Sequence, residues 1–372
     1  MAPADGTVVG TTRMIDNGAP QCRFNLVLVA EGYRQAELGQ FATDAQQFVD
    51  RLFATPPLDG LRSAFNVYRV DVASTDSGAD DPAACGGSGA TPATYFDASF
   101  CNAGIRRLLL VDTPTVMSVV NAQVPEWNQI IVVVNSPVWG GAGGSIGTTS
   151  TAAGWENIAI HEMGHSAFGL ADEYEYWAGC GVDTTRDTHP AVEPGEPNVT
   201  IDSNRATIKW GDLILASTPM PTTSNADCTI CDPQANPLPA GTVGAFEGAH
   251  YYHCAAFRPE FDCMMRNLSG FCAVCSRRIR ETLTPYLPPG CPAPVFSPHS
   301  ALACLFLAIV YVVVLIALGI YAAILALLCA LSRLFGTSGA CRQLARVRCQ
   351  IRQIQFRLRN CREGNSHPCL GL

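Results

Sequence analysis

His161-Glu162-Met163-Gly164-His165-Ser166-Ala167-Phe168-Gly169-Leu170-Ala171-Asp172-Glu173-Tyr174 carries two histidines four positions apart, with a glutamate directly after the first. The surrounding residues, Asn157 to Gly169, read as a helix. On a helix that spacing sends both imidazoles off one face, where they can share one metal ion. Zinc lowers the pKa of a bound water towards about 7, and a carboxylate at the position of Glu162 can take its proton. A catalytic zinc also needs a third protein ligand and one open position. Gly169 can close the helix in a left-handed conformation. If the chain turns there, Asp172 swings back to the metal; a continuing helix would carry it about 10 Å away. Asp172 is therefore the expected third ligand and Glu173 its rival, and either could instead orient a histidine from behind.

Working upstream, Ile130-Ile-Val-Val-Val134 reads as a buried strand that runs into Asn135-Ser-Pro-Val-Trp-Gly-Gly-Ala-Gly-Gly144. Glycines there permit close approach of another backbone, as a peptide adding along a strand edge requires. Phe24–Ala30, Asn66–Val72 and Arg107–Val111 give further strands. Residues 35–54 read as an amphipathic helix with Phe41, Ala45, Phe48 and Leu52 on one face. Strands alternating with helices predict an α/β (α+β) domain with a mixed or mainly parallel sheet.

The segment 161–174 resembles the active site of the immunoglobulin A peptidase family of bacterial metallopeptidases. Asn25–Tyr33, Asn66–Val72 and Ser74–Pro82 are similar to that family's N-terminal part. Gly244–Ala249, Phe257–Pro259, Cys263–Arg266 and Phe271–Cys275 are similar to its C-terminal part, so the resemblance spans about residues 20–283 in order. It implies a zincin-like, metzincin-type peptidase with zinc on His161 and His165, Glu162 as general base, and a methionine turn best matched by Met265 beside Met264. One departure stands out: metzincin spacing puts glycine three residues after the second histidine, whereas Gly169 is four after His165. Immunoglobulin A itself is not carried over as substrate.

Among other candidates, Tyr252 could stabilise an oxyanion, with core packing the plainer account, and His253 could add a polar contact. Cys228-x-x-Cys231 and Cys272-x-x-Cys275 have the spacing of a four-cysteine structural zinc site, against disulfides in an oxidising compartment. Asp76, Asp80 and Asp81 could bind calcium or simply line a solvated turn. Asn198-Val-Thr200 and Asn267-Leu-Ser269 fit a glycosylation pattern.

Charge divides the chain unevenly. Residues 301–372 hold eight Arg against one Glu, a net of +7, which leaves −15 of the overall −8 on residues 1–300. An acidic body excludes nucleic acid as the expected partner. Of 17 cysteines, 11 fall between Cys22 and Cys291, a density suited to an oxidising compartment. The expected organisation is a peptidase domain over 1–284, a Pro-rich linker over 285–300, a transmembrane segment over 301–333 and a basic heptad helix over 341–363. The Arg-rich tail would lie in the cytoplasm, the peptidase domain outside or in the periplasm, and the tail could pair copies into a homo-oligomer. No secretory signal is visible at Met1-Ala-Pro-Ala-Asp-Gly. The expected activity is zinc-dependent endopeptidase action on an extracellular protein. A zinc amidase acting on cell-wall amides and a membrane-anchored zinc module that binds without turnover are the alternatives.

Overall fold

The run Phe24–Glu31 is buried along its whole length and shows no polar alternation. Such a strand can only sit inside a sheet covered on both faces. The computed structural model describes residues 5–177, 179–180 and 186–288 and places it there. Strands β1 (Gly6–Ile15), β2 (Phe24–Glu31), β3 (Phe65–Ser74), β4 (Gln129–Val134), β5 (Gly141–Ala142) and β6 (Gly147–Ser150) form one sheet in the order β1-β3-β2-β4-β6-β5. The four inner strands are parallel, and β1 and β5 close the two edges antiparallel. This is the mixed α/β sheet expected from the sequence. A separate hairpin pairs β7 (Phe246–Ala249) with β8 (Tyr252–Arg258).

Helix α1 (Leu38–Leu52) buries Phe41, Ala45, Phe48, Val49 and Leu52 towards the sheet. Helix α2 (Thr113–Gln123) begins with Pro114 at its first turn, where a missing amide costs nothing. Helix α3 (Trp155–Phe168) lies against β6 and α1, and the rings of Phe48 and Trp155 stack across that contact. Nine of its fourteen residues are buried, so it is enclosed by protein rather than laid on a surface. A short α4 (Met264–Asn267) and α5 (Ala273–Leu283) complete the domain.

Arg107–Val111 is not the strand that its apolar run predicts. It makes only single bridges, Leu108 to Gly141 and Leu110 to Ser99, because the Cys85–Cys101 disulfide loop and β5 each meet it at one point. The chain divides after Pro288. Among the described residues no helix is long and apolar enough to cross a membrane. The expected span 301–333 and basic helix 341–363 lie outside the described residues.

Candidate metal centre and active-site cleft

Helix α3 stops at Gly169, which takes the left-handed φ of 64° and ψ of 38°. The Gly169 amide donates to His165 O and the Leu170 amide to Gly164 O, so the chain reverses at once. Asp172 thereby returns to the histidines. Its Oδ1 lies 3.0 Å from His161 Nε2 and 3.2 Å from His165 Nε2. The two Nε2 atoms are 3.1 Å apart. Tetrahedral zinc, with bonds of about 2.0 Å, holds its nitrogen and oxygen ligands about 3.3 Å from one another. The triangle has that size.

Both rings place Nδ1 against main-chain carbonyls, His161 on Met264 O at 2.9 Å and His165 on Leu170 O at 2.7 Å. With protons held there, each Nε2 turns a lone pair inward. Asp172 Oδ1 is buried without a hydrogen-bond donor, while its Oδ2 accepts from the Tyr251 hydroxyl. With the rings in that tautomer three acceptors face one point, an arrangement that suits a cation.

Glu162 is buried beside this triangle. The glycine loop makes room for it: a Cβ on Gly143 would fall 2.9 Å from Glu162 Oε2 and 2.7 Å from His165 Cβ. One close approach that these glycines permit is to the chain's own helix. Gly141 is held between β6 and Leu108, and Gly141 to Gly144 line the cleft. Below the helix, a Cβ on Gly164 would lie 2.5 Å from Met265 Sδ. Met265 is fully buried and underlies the helix between the two histidines. A cleft of about 420 Å³ opens over the site, lined by His161, Glu162, His165, Asp172, Tyr174 and Tyr251, with Arg107 and Trp177 on its wall.

A sequence profile of the IgA peptidase M64 family matches residues 12–232 and 233–283, a span that contains every residue of this site. The chain belongs to the IgA peptidase M64 family. M64 peptidases are metallopeptidases, so the activity is that of a peptidase of the metal-dependent class. No curated protein matches the chain.

Electrostatics in this M64 peptidase follow from burial and from Asp172. Burial alone would lower the His161 pKa, but the adjacent Asp172 carboxylate more than offsets it and pushes the ring up to about 9. His165 is raised by the same balance. Burial drives Asp172 upward, yet the two imidazoles prevail and hold it well below the usual carboxylate range. Glu162 is raised by burial, against the pull of both histidines.

Several expectations for this M64 peptidase need correction. Tyr252 does not line the cleft; its hydroxyl accepts from Arg186 Nη1 at 2.9 Å. Tyr251 does. The β7–β8 turn holds His250 and Tyr251 at φ of 56° and 72°, which breaks the strand alternation and throws Tyr251 towards Asp172. His253 is a core histidine against Cys228 O. Glu173 points away from the histidines, its Oε1 accepting from Asn198 at 2.8 Å. Asp76, Asp80 and Asp81 form no metal-sized group among the described residues. Arg106 pairs with Asp81 at 2.6 Å. Asn198 is fully buried, which leaves no room for a glycan.

The four-cysteine zinc site also fails as drawn. Cys228 bonds to Cys254 and Cys231 to Cys180, whereas Cys272 and Cys275 stay as buried thiols with Cys263. Sequence reasoning missed Arg107 and Tyr174 as cleft residues. Arg107 Nη2 lies 3.4 Å from Tyr174 Oη, and the Tyr174 ring is nearly parallel to that of His161. Tyr174 closes the 161–174 segment and was open to notice; nothing local marks Arg107.

Proposed function

We propose that this M64 peptidase is a zinc endopeptidase that hydrolyses peptide bonds of protein substrates, with the metal on His161, His165 and Asp172 and with Glu162 as general base. The support is the triangle of ligand atoms 3.0–3.2 Å apart, open on the side of a cleft that also holds Glu162. Two imidazoles and one carboxylate suit zinc and leave a fourth position free. Zinc bound there would supply Lewis acidity, polarising a carbonyl and making a water more acidic. Glu162, raised by burial yet close to two imidazoles, is tuned to take a proton from water and pass it to the leaving amine. Tyr174, kept protonated because burial raises its pKa, is a hydroxyl donor on the cleft wall for developing negative charge. Arg107 beside it adds positive potential. Tyr251 fixes the Asp172 carboxylate from behind.

Three disulfides among the described residues suit an oxidising location for the peptidase domain, in keeping with an extracellular or periplasmic substrate. The deciding experiment is Glu162→Ala, followed by metal analysis and by hydrolysis of a mixed peptide library. Activity should fall at least about 100-fold, the usual worth of a general base, while bound metal stays at the wild-type level. Wild-type turnover in that variant would overturn the mechanism.

A further inference from the structure

Beneath the first centre lies a second cluster, formed by Glu173, Cys263, Cys272 and Cys275, all of them buried. Their ligand atoms all lie within 4.8 Å of one another. Cys263 Sγ is 3.7 Å from Cys275 Sγ, and Glu173 Oε1 is 3.8 Å from Cys272 Sγ and 3.3 Å from Cys275 Sγ. A tetrahedral zinc with Zn–S of about 2.3 Å and Zn–O of about 2.1 Å has edges of about 3.8 Å between sulfurs and about 3.6 Å between sulfur and oxygen. The observed separations fit those edges. A disulfide account fits less well, because three thiols cannot all pair. Cysteines elsewhere in the same domain are bonded, at Cys85–Cys101, Cys180–Cys231 and Cys228–Cys254, while these three remain free.

Two further observations point to a cation. The Cys272 amide lies 3.4 Å from Cys263 Sγ and the Cys275 amide 3.3 Å from Cys272 Sγ, so main-chain donors are already aimed at the sulfurs as thiolates require. Glu173 is fully buried and its Oε2 has no hydrogen-bond partner. Four acidic groups packed together out of water, one with an orphaned oxygen, are costly without a positive ion among them.

We infer that Glu173, Cys263, Cys272 and Cys275 hold a second, structural zinc ion. The thiols give up their protons to solvent as the metal binds. All four coordination positions come from the protein and none faces the cleft, so the site is closed and does no chemistry on substrate. Its effect reaches the first centre through the chain. Glu173 follows Asp172, and its amide donates to Met265 O at 2.8 Å. Cys263 precedes Met264, whose carbonyl holds His161 Nδ1. One ion thus ties the methionine turn to the segment after Gly169 that delivers Asp172.

The test is a metal count on the purified full chain, beside a His161→Ala/His165→Ala variant that empties the first centre. The wild type should carry two zinc ions and the histidine variant one. Cobalt(II) loaded into that variant should give sulfur-to-metal charge-transfer absorption, and adding Cys272→Ser and Cys275→Ser should remove it. That comparison sets aside any cobalt held by cysteines beyond residue 288. If the serine variant does not fold, a count of zero in the histidine variant still overturns the inference. No zinc in the histidine variant, or a disulfide found among Cys263, Cys272 and Cys275 by mass spectrometry of the unreduced protein, would overturn the inference. The peptidase mechanism is untouched by either outcome, since it is tested at Glu162.

Discussion

Asp172 and Glu173 are adjacent in the chain yet serve opposite sides of it: Asp172 Oδ1 lies 3.0 Å from His161 Nε2, and Glu173 Oε1 lies 3.3 Å from Cys275 Sγ. Extended backbone sends successive side chains to opposite faces. The turn at Gly169 sets which of the two meets the histidines. Replacing Asp172 by Ala should therefore remove a ligand that Glu173 cannot replace. Zinc affinity at the first centre should drop by more than about 100-fold, beyond the usual effect of losing an outer-shell partner, and peptide hydrolysis should go with it. Chelator competition on the purified protein gives the affinity. Retained zinc and activity would mean that another group completes the site.

Gly164 and Met265 form a contact with no spare room, since a Cβ on Gly164 would sit 2.5 Å from Met265 Sδ. Gly164→Ala should cost about 1–3 kcal/mol of stability as an overpacking change. The far end of a methionine can move, so part of the strain will be relieved by a shift of the side chain. Joining Gly164→Ala to Met265→Ala should be less destabilising than the two single effects added together, with a coupling of about 1 kcal/mol or more. Urea denaturation of the four proteins measures it; strict additivity would show that the contact carries no energy.

Tyr251 and Tyr252 offer a paired comparison. The Tyr251 hydroxyl donates to Asp172 Oδ2, whereas the Tyr252 hydroxyl meets Arg186. Tyr251→Phe should lower metal affinity or activity by about 10- to 100-fold, the usual effect of losing a partner behind a ligand. Tyr252→Phe should change either by only a few-fold. The reverse order, read from kcat/KM and zinc affinity, would place the supporting phenol on the wrong residue.

Glu31 ends β2 wholly buried, its carboxylate accepting from the amides of Phe96 and Ala98 at 3.0 and 3.1 Å. Burial outweighs these bonds and raises its pKa from 4.5 to about 7. The folded state thus holds the proton more tightly than the unfolded chain does. This group's contribution is fully present below about pH 4.5 and is lost as pH rises through about 7, a change of about 3 kcal/mol. Comparing wild type with Glu31→Gln by urea denaturation between those two pH values isolates it. The stability of the wild type relative to the variant should fall as pH rises; a flat difference would show that Glu31 titrates normally.

Sequence alone went a long way where the physics is local. Two imidazoles four residues apart share a helix face whatever surrounds them, and Gly169 stops the helix because it alone takes a left-handed backbone cheaply. Strands β2 and β4 were legible because burial on both faces demands near-continuous apolar runs, and β3 because its apolar residues alternate with Arg69 and Asp71. Only the tertiary structure could decide the partners. Cys263, Cys272 and Cys275 gather on Glu173 from about a hundred residues away, and Tyr251 rather than Tyr252 reaches Asp172 because a turn with positive φ interrupts the strand. Residues 107–111 look like a strand, but they lack a continuous neighbour to pair with. Hydrophobic periodicity records which face of a segment is buried. It carries no information on what that face meets, and ligand sets assembled across long loops depend on how those loops are held.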